Sequence, residues 1–181
     1  MTILKKKLDF ATRSIHAGQI PDPSTGALIT PIYATSTYAQ KSPGVHQGFE
    51  YSRTQNPTRI AYQRCIAELE NGHTGFAFAS GMAAINTVLE LLIPGDHIIG
   101  MDDLYGGTVR LFDQVKQQSA GLRFSYVDMT DLDNLSAHIR PETKLLWLES
   151  PSNPLLKLVD IERLVSIARQ HSLITVLDNT F

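Results

Sequence analysis

A single cysteine, Cys65, stands in this chain of 181 residues, so no disulfide can form within it. That usage agrees with a reducing compartment, and a cytoplasmic location is expected. Charge of one sign is lacking as well: 16 Lys and Arg stand against 18 Asp and Glu, for a formal net charge of −2. The electrostatic case for a nucleic-acid or membrane-surface partner is therefore missing. Lys5-Lys6-Lys7 is the one basic block and reads as a solvated terminal tail. Long apolar runs are absent. The most apolar stretch, 76–93, is interrupted by Ser80, Gly81, Asn86, Thr87 and Glu90, and reads as a strand followed by a helix rather than a membrane span. No apolar segment of the signal-peptide kind follows the basic start. Histidines occur at 16, 46, 73, 97, 138 and 171, never three or four apart, so with one cysteine no metal site is expected. Neither G-x-G-x-x-G nor G-x-x-x-x-G-K-[ST] occurs, which counts against the usual dinucleotide and P-loop readings.

What is present supports a folded α/β chain. Hydrophobic residues make up 43% and charged residues 19%, enough for a sizeable core. Residues 1–55 differ from the rest: Pro21, Pro23, Pro31 and Pro43, several glycines and little helical periodicity describe an arm that is either loosely attached or packed on another surface, such as another subunit. From Asn56 the pattern is regular. Asn56-Pro57 is a helix start, and Ala61, Cys65 and Leu69 recur every four residues before Gly72. Strands are then expected at 75–79, 97–101, 122–127, 144–148 and 173–177. Helices are expected at 82–92, 108–118, 131–139 (capped by Thr130) and 161–171 (capped by Asp160). Leu145-Leu146-Trp147-Leu148 and 174–177 are apolar without alternation, the mark of strands covered on both faces. The fold class expected is α/β, with a mainly parallel sheet and flanking helices.

In such sheets ligands gather at the carboxyl ends of the strands. There the sequence puts Ser80-Gly81-Met82, the run 102–107 with Tyr105, the run 149–154 with Asn153, and Asp178-Asn179-Thr180. Gly81 and Met82 at a helix start suit a phosphate, though Ser80 as an ordinary cap explains the tripeptide equally well. Tyr105 before Gly106-Gly107 presents a ring to a flat ligand or simply fills a turn. Asp178, ending an apolar strand, needs a partner, either a protonated ring nitrogen or the next loop. Asn153 lies between two prolines in a fixed turn. Arg53, beside Tyr51, has the planar fork that suits phosphate.

Taken in order, these segments resemble the Cys/Met-metabolism family of enzymes that use pyridoxal 5'-phosphate (PLP). Tyr51-Ser-Arg-Thr-Gln-Asn-Pro-Thr-Arg59 is similar to its YxR…NPT motif, and Phe78-Ala-Ser-Gly-Met-Ala-Ala84 to its phosphate turn. Asp102-Asp-Leu-Tyr-Gly-Gly-Thr108, Glu149-Ser-Pro-Ser-Asn-Pro154 and Asp178-Asn-Thr-Phe181 resemble further blocks. Thr12-Arg-Ser-Ile-His-Ala-Gly18 and Pro31-Ile-Tyr33 resemble the N-terminal arm.

The resemblance implies an aspartate-aminotransferase-like (fold type I) large domain, with 1–55 as an arm for subunit contacts and 56–181 as the first part of the domain. It implies that Gly81 and Met82 give backbone N–H groups to the PLP phosphate. Tyr51 and Arg53 would reach the phosphate in a neighbouring subunit of a homotetramer. Tyr105 would stack on the ring and help move protons, Asn153 would lie near the ring hydroxyl, and Asp178 would keep the ring nitrogen protonated. The role of Glu149 is left open. The reaction implied is elimination or replacement at a small amino-acid substrate, cystathionine or a homoserine ester, of the γ-lyase or γ-synthase type. Cystathionine β-lyase stays open. Methionine γ-lyase is disfavoured by Gly107, where that subgroup typically carries Cys.

The seven lysines, at 5, 6, 7, 41, 116, 144 and 157, all lack the S-x-T-K context of the family's Schiff-base lysine. By itself the 181-residue chain is accordingly expected to be inactive, poorly soluble or self-associating. A fragment without chemistry that binds PLP or a homologous subunit is the expectation of another class. A nucleotide-binding domain ranks below both.

Overall fold

A computed structural model describes residues 8–181, so Lys5-Lys6-Lys7 lies outside the described residues. The chain forms two compact units, one ending at Ala79 and one spanning Ser80–Phe181.

The first unit is built on two helices, α1 (Phe10–His16) and α2 (Pro57–Leu69). Asn56 begins α2 as its sequence suggests: its side-chain oxygen accepts the N–H groups of Thr58 and Arg59, and Pro57 takes the first helical position. Helix α1 was not expected, because no apolar period marks it and none of its residues is buried. It is held instead by Arg13, whose guanidinium donates to the Glu68 carbonyl and to Asn71 Oδ1 (3.0 Å). Just beyond α1, Gly18 has φ of +72°, and a Cβ there would stand 2.9 Å from Cys65 Cα; only glycine lets the chain cross α2 this closely. Asp22 gathers the following turn. Its carboxylate accepts the N–H groups of Ser24 and Thr25 and the Tyr33 hydroxyl, bonds that hold its carboxyl well below the usual range.

Residues 75–79 were expected to form a strand, and they do not. A strand exists through its ladder, and this segment has none among the described residues; Phe76 and Phe78 are exposed.

The second unit is a four-stranded parallel sheet in the order β2-β1-β3-β4, where β1 is His97–Met101, β2 Arg123–Val127, β3 Thr143–Glu149 and β4 Ile174–Asp178. The doubly covered strands are the central ones, as their unbroken apolar runs require: Ile98, Ile99, Leu145, Leu146 and Leu148 are fully buried. Strand β4 is an edge among the described residues, with Ile174 and Leu177 partly open. Helix α3 (Gly81–Leu89) precedes the sheet, α6 (Leu132–His138) and α7 (Ile161–Gln170) alternate with its strands. Asp131 caps α6 in place of the expected Thr130, because Thr130 is engaged with Asp128. Asp160 caps α7 as expected.

The helix foreseen at 108–118 starts two residues earlier and is not uniform. α4 (Gly106–Arg110) passes into a π-helical segment, Leu111–Lys116, and then α5 (Gln117–Ser119). In the wide turns Phe112 enters the core, stacked on Phe124 at 4.6 Å and edge-on to Trp147 at 5.4 Å, and Lys116 pairs with Glu90. No helix among the described residues is long and apolar enough to cross a membrane.

Candidate functional site

Three parallel strands and one helix of the second unit direct their ends to one cleft of about 400 Å³, a size suited to a small ligand. Its walls include Ser80, Gly81 and Met82 from the start of α3, and Tyr105 from the loop after β1. Glu149 and Asn153 come from the end of β3, and Asp178 from the end of β4.

The phosphate-like end is the start of α3. Ser80 Oγ caps it by accepting the Ala83 N–H at 3.2 Å. The N–H groups of Gly81 and Met82 donate to nothing among the described residues. A Cβ on Gly81 would meet no atom within 4 Å, so the space before these donors is open. Unpaired N–H groups at the positive end of a helix suit an anion. Ser80 caps the helix, and the N–H groups of Gly81 and Met82 stay unpaired among the described residues.

Tyr105 occupies the N-cap position of α4 without a side-chain cap bond, and its ring is 45% exposed. The ring lies across Gly107, where a Cβ would stand 3.0 Å from its Cδ1 and Cζ and closer still to Cε1. At the far wall Asp178 is half-buried, and its Oδ1 accepts the Thr180 N–H at 3.2 Å. The bond to its own loop leaves Oδ2 without a partner among the described residues.

Glu149 is the buried acid of the site. It pairs in register with Asp178, yet it is only 4% exposed. Its Oε2 accepts the Tyr105 N–H and its Oε1 the Asn153 N–H, each at 2.8 Å. Burial pushes its carboxyl up; the two N–H bonds oppose this, and the charges of Asp178 and Asp103 add to it. A second set of ties lies behind. Buried Asp103 accepts the Ser152 hydroxyl and the Leu155 N–H (2.9 Å), and the Lys157 ammonium donates to Asp102 at 2.6 Å. That bond holds the Lys157 pKa above its ordinary value.

The sequence therefore identified Gly81, Met82, Tyr105, Asn153 and Asp178, and all five line one cleft. It did not identify the Glu149 and Asp103 ties. The signal was available for Glu149, since it too is an acid ending an apolar strand. Tyr51 and Arg53 belong to the first unit. Both are exposed, and the guanidinium lies 5.4 Å from the Tyr51 ring centroid. Among the described residues no group of three His, Cys, Asp or Glu side chains could hold a metal ion.

The chain is 62% identical over 176 residues to the cystathionine beta-lyase of Coxiella burnetii, covering 97% of this chain and 46% of that protein. It is 54% identical to a probable cystathionine gamma-synthase of Herpetosiphon aurantiacus, covering 95% and 54%. The crystal structure of cystathionine gamma-lyase from Lactobacillus plantarum complexed with L-serine superposes with a TM-score of 0.89 at 49% identity, covering 95% of this chain and 45% of that one. The chain spans about half the length of the curated relatives it matches. The sequence profile of one family, described as Cys/Met metabolism PLP-dependent enzymes, matches residues 11–181, and the chain belongs to that family.

Proposed function

We propose that the protein carrying this chain makes or breaks the carbon–sulfur bond of a cystathionine-type amino acid, with PLP held in the cleft between α3 and β4. The observation that carries this reading is the set of groups that line one cleft: unpaired helix N–H groups, an exposed tyrosine and a half-buried carboxylate. These groups fit a phosphate ester joined to a flat, protonatable ring. The open space before Gly81 leaves room for the phosphate.

Gly81 and Met82 would bind the phosphate through their N–H groups. Tyr105 would cover one face of the ring and keep water from it, and its hydroxyl would hold a proton near the reacting carbon. Asp178 would take the ring N–H on its open Oδ2 and so keep that nitrogen charged. Asn153 would orient the ring hydroxyl through its amide. When bound, the cofactor supplies an electron sink for charge released at the substrate α-carbon. Tyr51 and Arg53 would serve the phosphate site of a second copy; the Arg53 guanidinium donates to nothing among the described residues, which leaves its fork free for this. A polypeptide limited to residues 1–181 has no lysine in an S-x-T-K context, and we expect no turnover from it alone.

The test uses protein made from the complete reading frame and supplied with PLP. Homocysteine with pyruvate from cystathionine indicates cleavage on the β side; cysteine with 2-oxobutyrate indicates the γ side. Cystathionine formed from a homoserine ester and cysteine indicates synthesis. Absence of all three activities refutes the proposal. Asp178→Asn is expected to lower turnover at least roughly 100-fold, by analogy with the loss of one aimed charge-stabilising group.

A further inference from the structure

Two loops carry the groups just assigned, and one buried side chain joins them. Glu149 receives the N–H of Tyr105, 44 residues away in sequence, on one oxygen and the N–H of Asn153 on the other. A carboxylate can do this because it has acceptors on both oxygens and no donor. An amide of the same shape has one acceptor oxygen; its NH₂ would face the second N–H, leaving a buried donor without a partner.

Asp103 makes a different tie between the same loops. Both of its bonds, from the Ser152 hydroxyl and the Leu155 N–H, go to Oδ2. Its Oδ1 accepts nothing among the described residues, so an asparagine could keep both bonds on its single oxygen.

Resting on the reading of this cleft as the cofactor site, we propose that Glu149 is a positioning residue whose two acceptor oxygens hold Tyr105 and Asn153 as one unit. The cofactor's ring face and its rim are then set by one side chain that touches neither. The groups that face Glu149 across the tie are the carboxylates of Asp178 on β4 and Asp103 after β1. Burial pushes the Glu149 carboxyl up, so it takes a proton above the usual glutamate range, and the proton turns one of its two acceptor oxygens into a donor.

The experiment is amide hydrogen exchange at single-residue resolution on the full-length protein without ligand, comparing wild type, Glu149→Gln and Asp103→Asn. In E149Q the amides of Tyr105 and Asn153 exchange faster together, by about tenfold or more, while those of β1 do not change. D103N moves them less than about threefold by the same accounting. PLP titration by absorbance then shows roughly tenfold weaker binding in E149Q, with an altered circular dichroism band from the bound ring. Unchanged exchange, exchange at only one of the two amides, or an equal effect in D103N overturns the proposal. If E149Q fails to fold, wild type decides: on acidification the two amides lose protection together, and separate or absent losses overturn the tie. Wild type that takes no PLP refutes the cofactor reading, while the exchange result still decides the role of Glu149.

Discussion

Gly107→Ala separates the fold from the site. Gly107 is buried in the first turn of α4 and has ordinary helical backbone, so alanine strains nothing there and gains up to about 1 kcal/mol of helix propensity. The nearest atoms the added methyl meets belong to the Tyr105 ring: 3.0 Å to Cδ1 and Cζ, and a closer approach to Cε1. Carbon atoms rest at about 3.5–4.0 Å, so the ring must withdraw by at least about 0.5 Å, and further at Cε1. Because the ring is 45% exposed it can turn away, at about 0.5–1.5 kcal/mol for an off-rotamer side chain. These two contributions nearly cancel, so global stability should stay within about 1 kcal/mol of wild type.

The site should respond far more. A displacement of about 1 Å or more in a group that positions a reacting ring costs on the order of 100-fold. We expect urea denaturation curves that overlay and turnover of cystathionine that falls about 10- to 100-fold, with weaker PLP binding. Full turnover in G107A would show that the ring is not held where the reaction needs it. A large loss of stability would show that Gly107 serves packing.

Other perturbations test other levels. Phe112→Ala empties the stack against Phe124 and Trp147 and should cost about 3–5 kcal/mol by urea unfolding. Asn56→Ala removes the cap of α2 together with a bond from its amide to the Tyr33 carbonyl; about 1–2 kcal/mol should be lost, and Asn56→Asp should restore the cap. His97 is buried between the hydroxyls of Thr143 and Ser125, and burial, with the Arg140 charge beside it, lowers its pKa below 6.5. The unfolded chain then binds that proton more readily, so the contribution is complete above 6.5 and is lost as pH falls through the folded value. Melting temperature should drop between pH 7.5 and 5 in wild type, and less in His97→Gln.

The central strands and the capped helices could be read because their causes are local. The run from Leu145 to Leu148 has no polar position that could face water, and Asn56 and Asp160 stand directly before the helices they cap. Segment 75–79 has the composition of a strand, but pairing is a property of two segments, and no neighbour joins it among the described residues. Helix α1 failed in the opposite sense: its support comes from Arg13 reaching Glu68 and Asn71, more than 50 residues away, which no periodicity reports.

The acids at the strand ends follow the same division. The need of an acid ending a buried strand for partners points to Asp178, but Asp178 ends a strand that is an edge among the described residues, and it is half-buried. Glu149 ends β3, which has neighbours on both sides, and it is the acid with the greater need. Strand order decides between them, and strand order is not written in either motif. Once the order is known, the partners follow. Among the described residues the donors to this sunken carboxylate are backbone N–H groups of the loops that leave β1 and β3, and these loops bear Tyr105 and Asn153. The carboxylate that the fold most needs to satisfy is therefore the one that ties the rim of the cleft together, and its place in the sheet explains both.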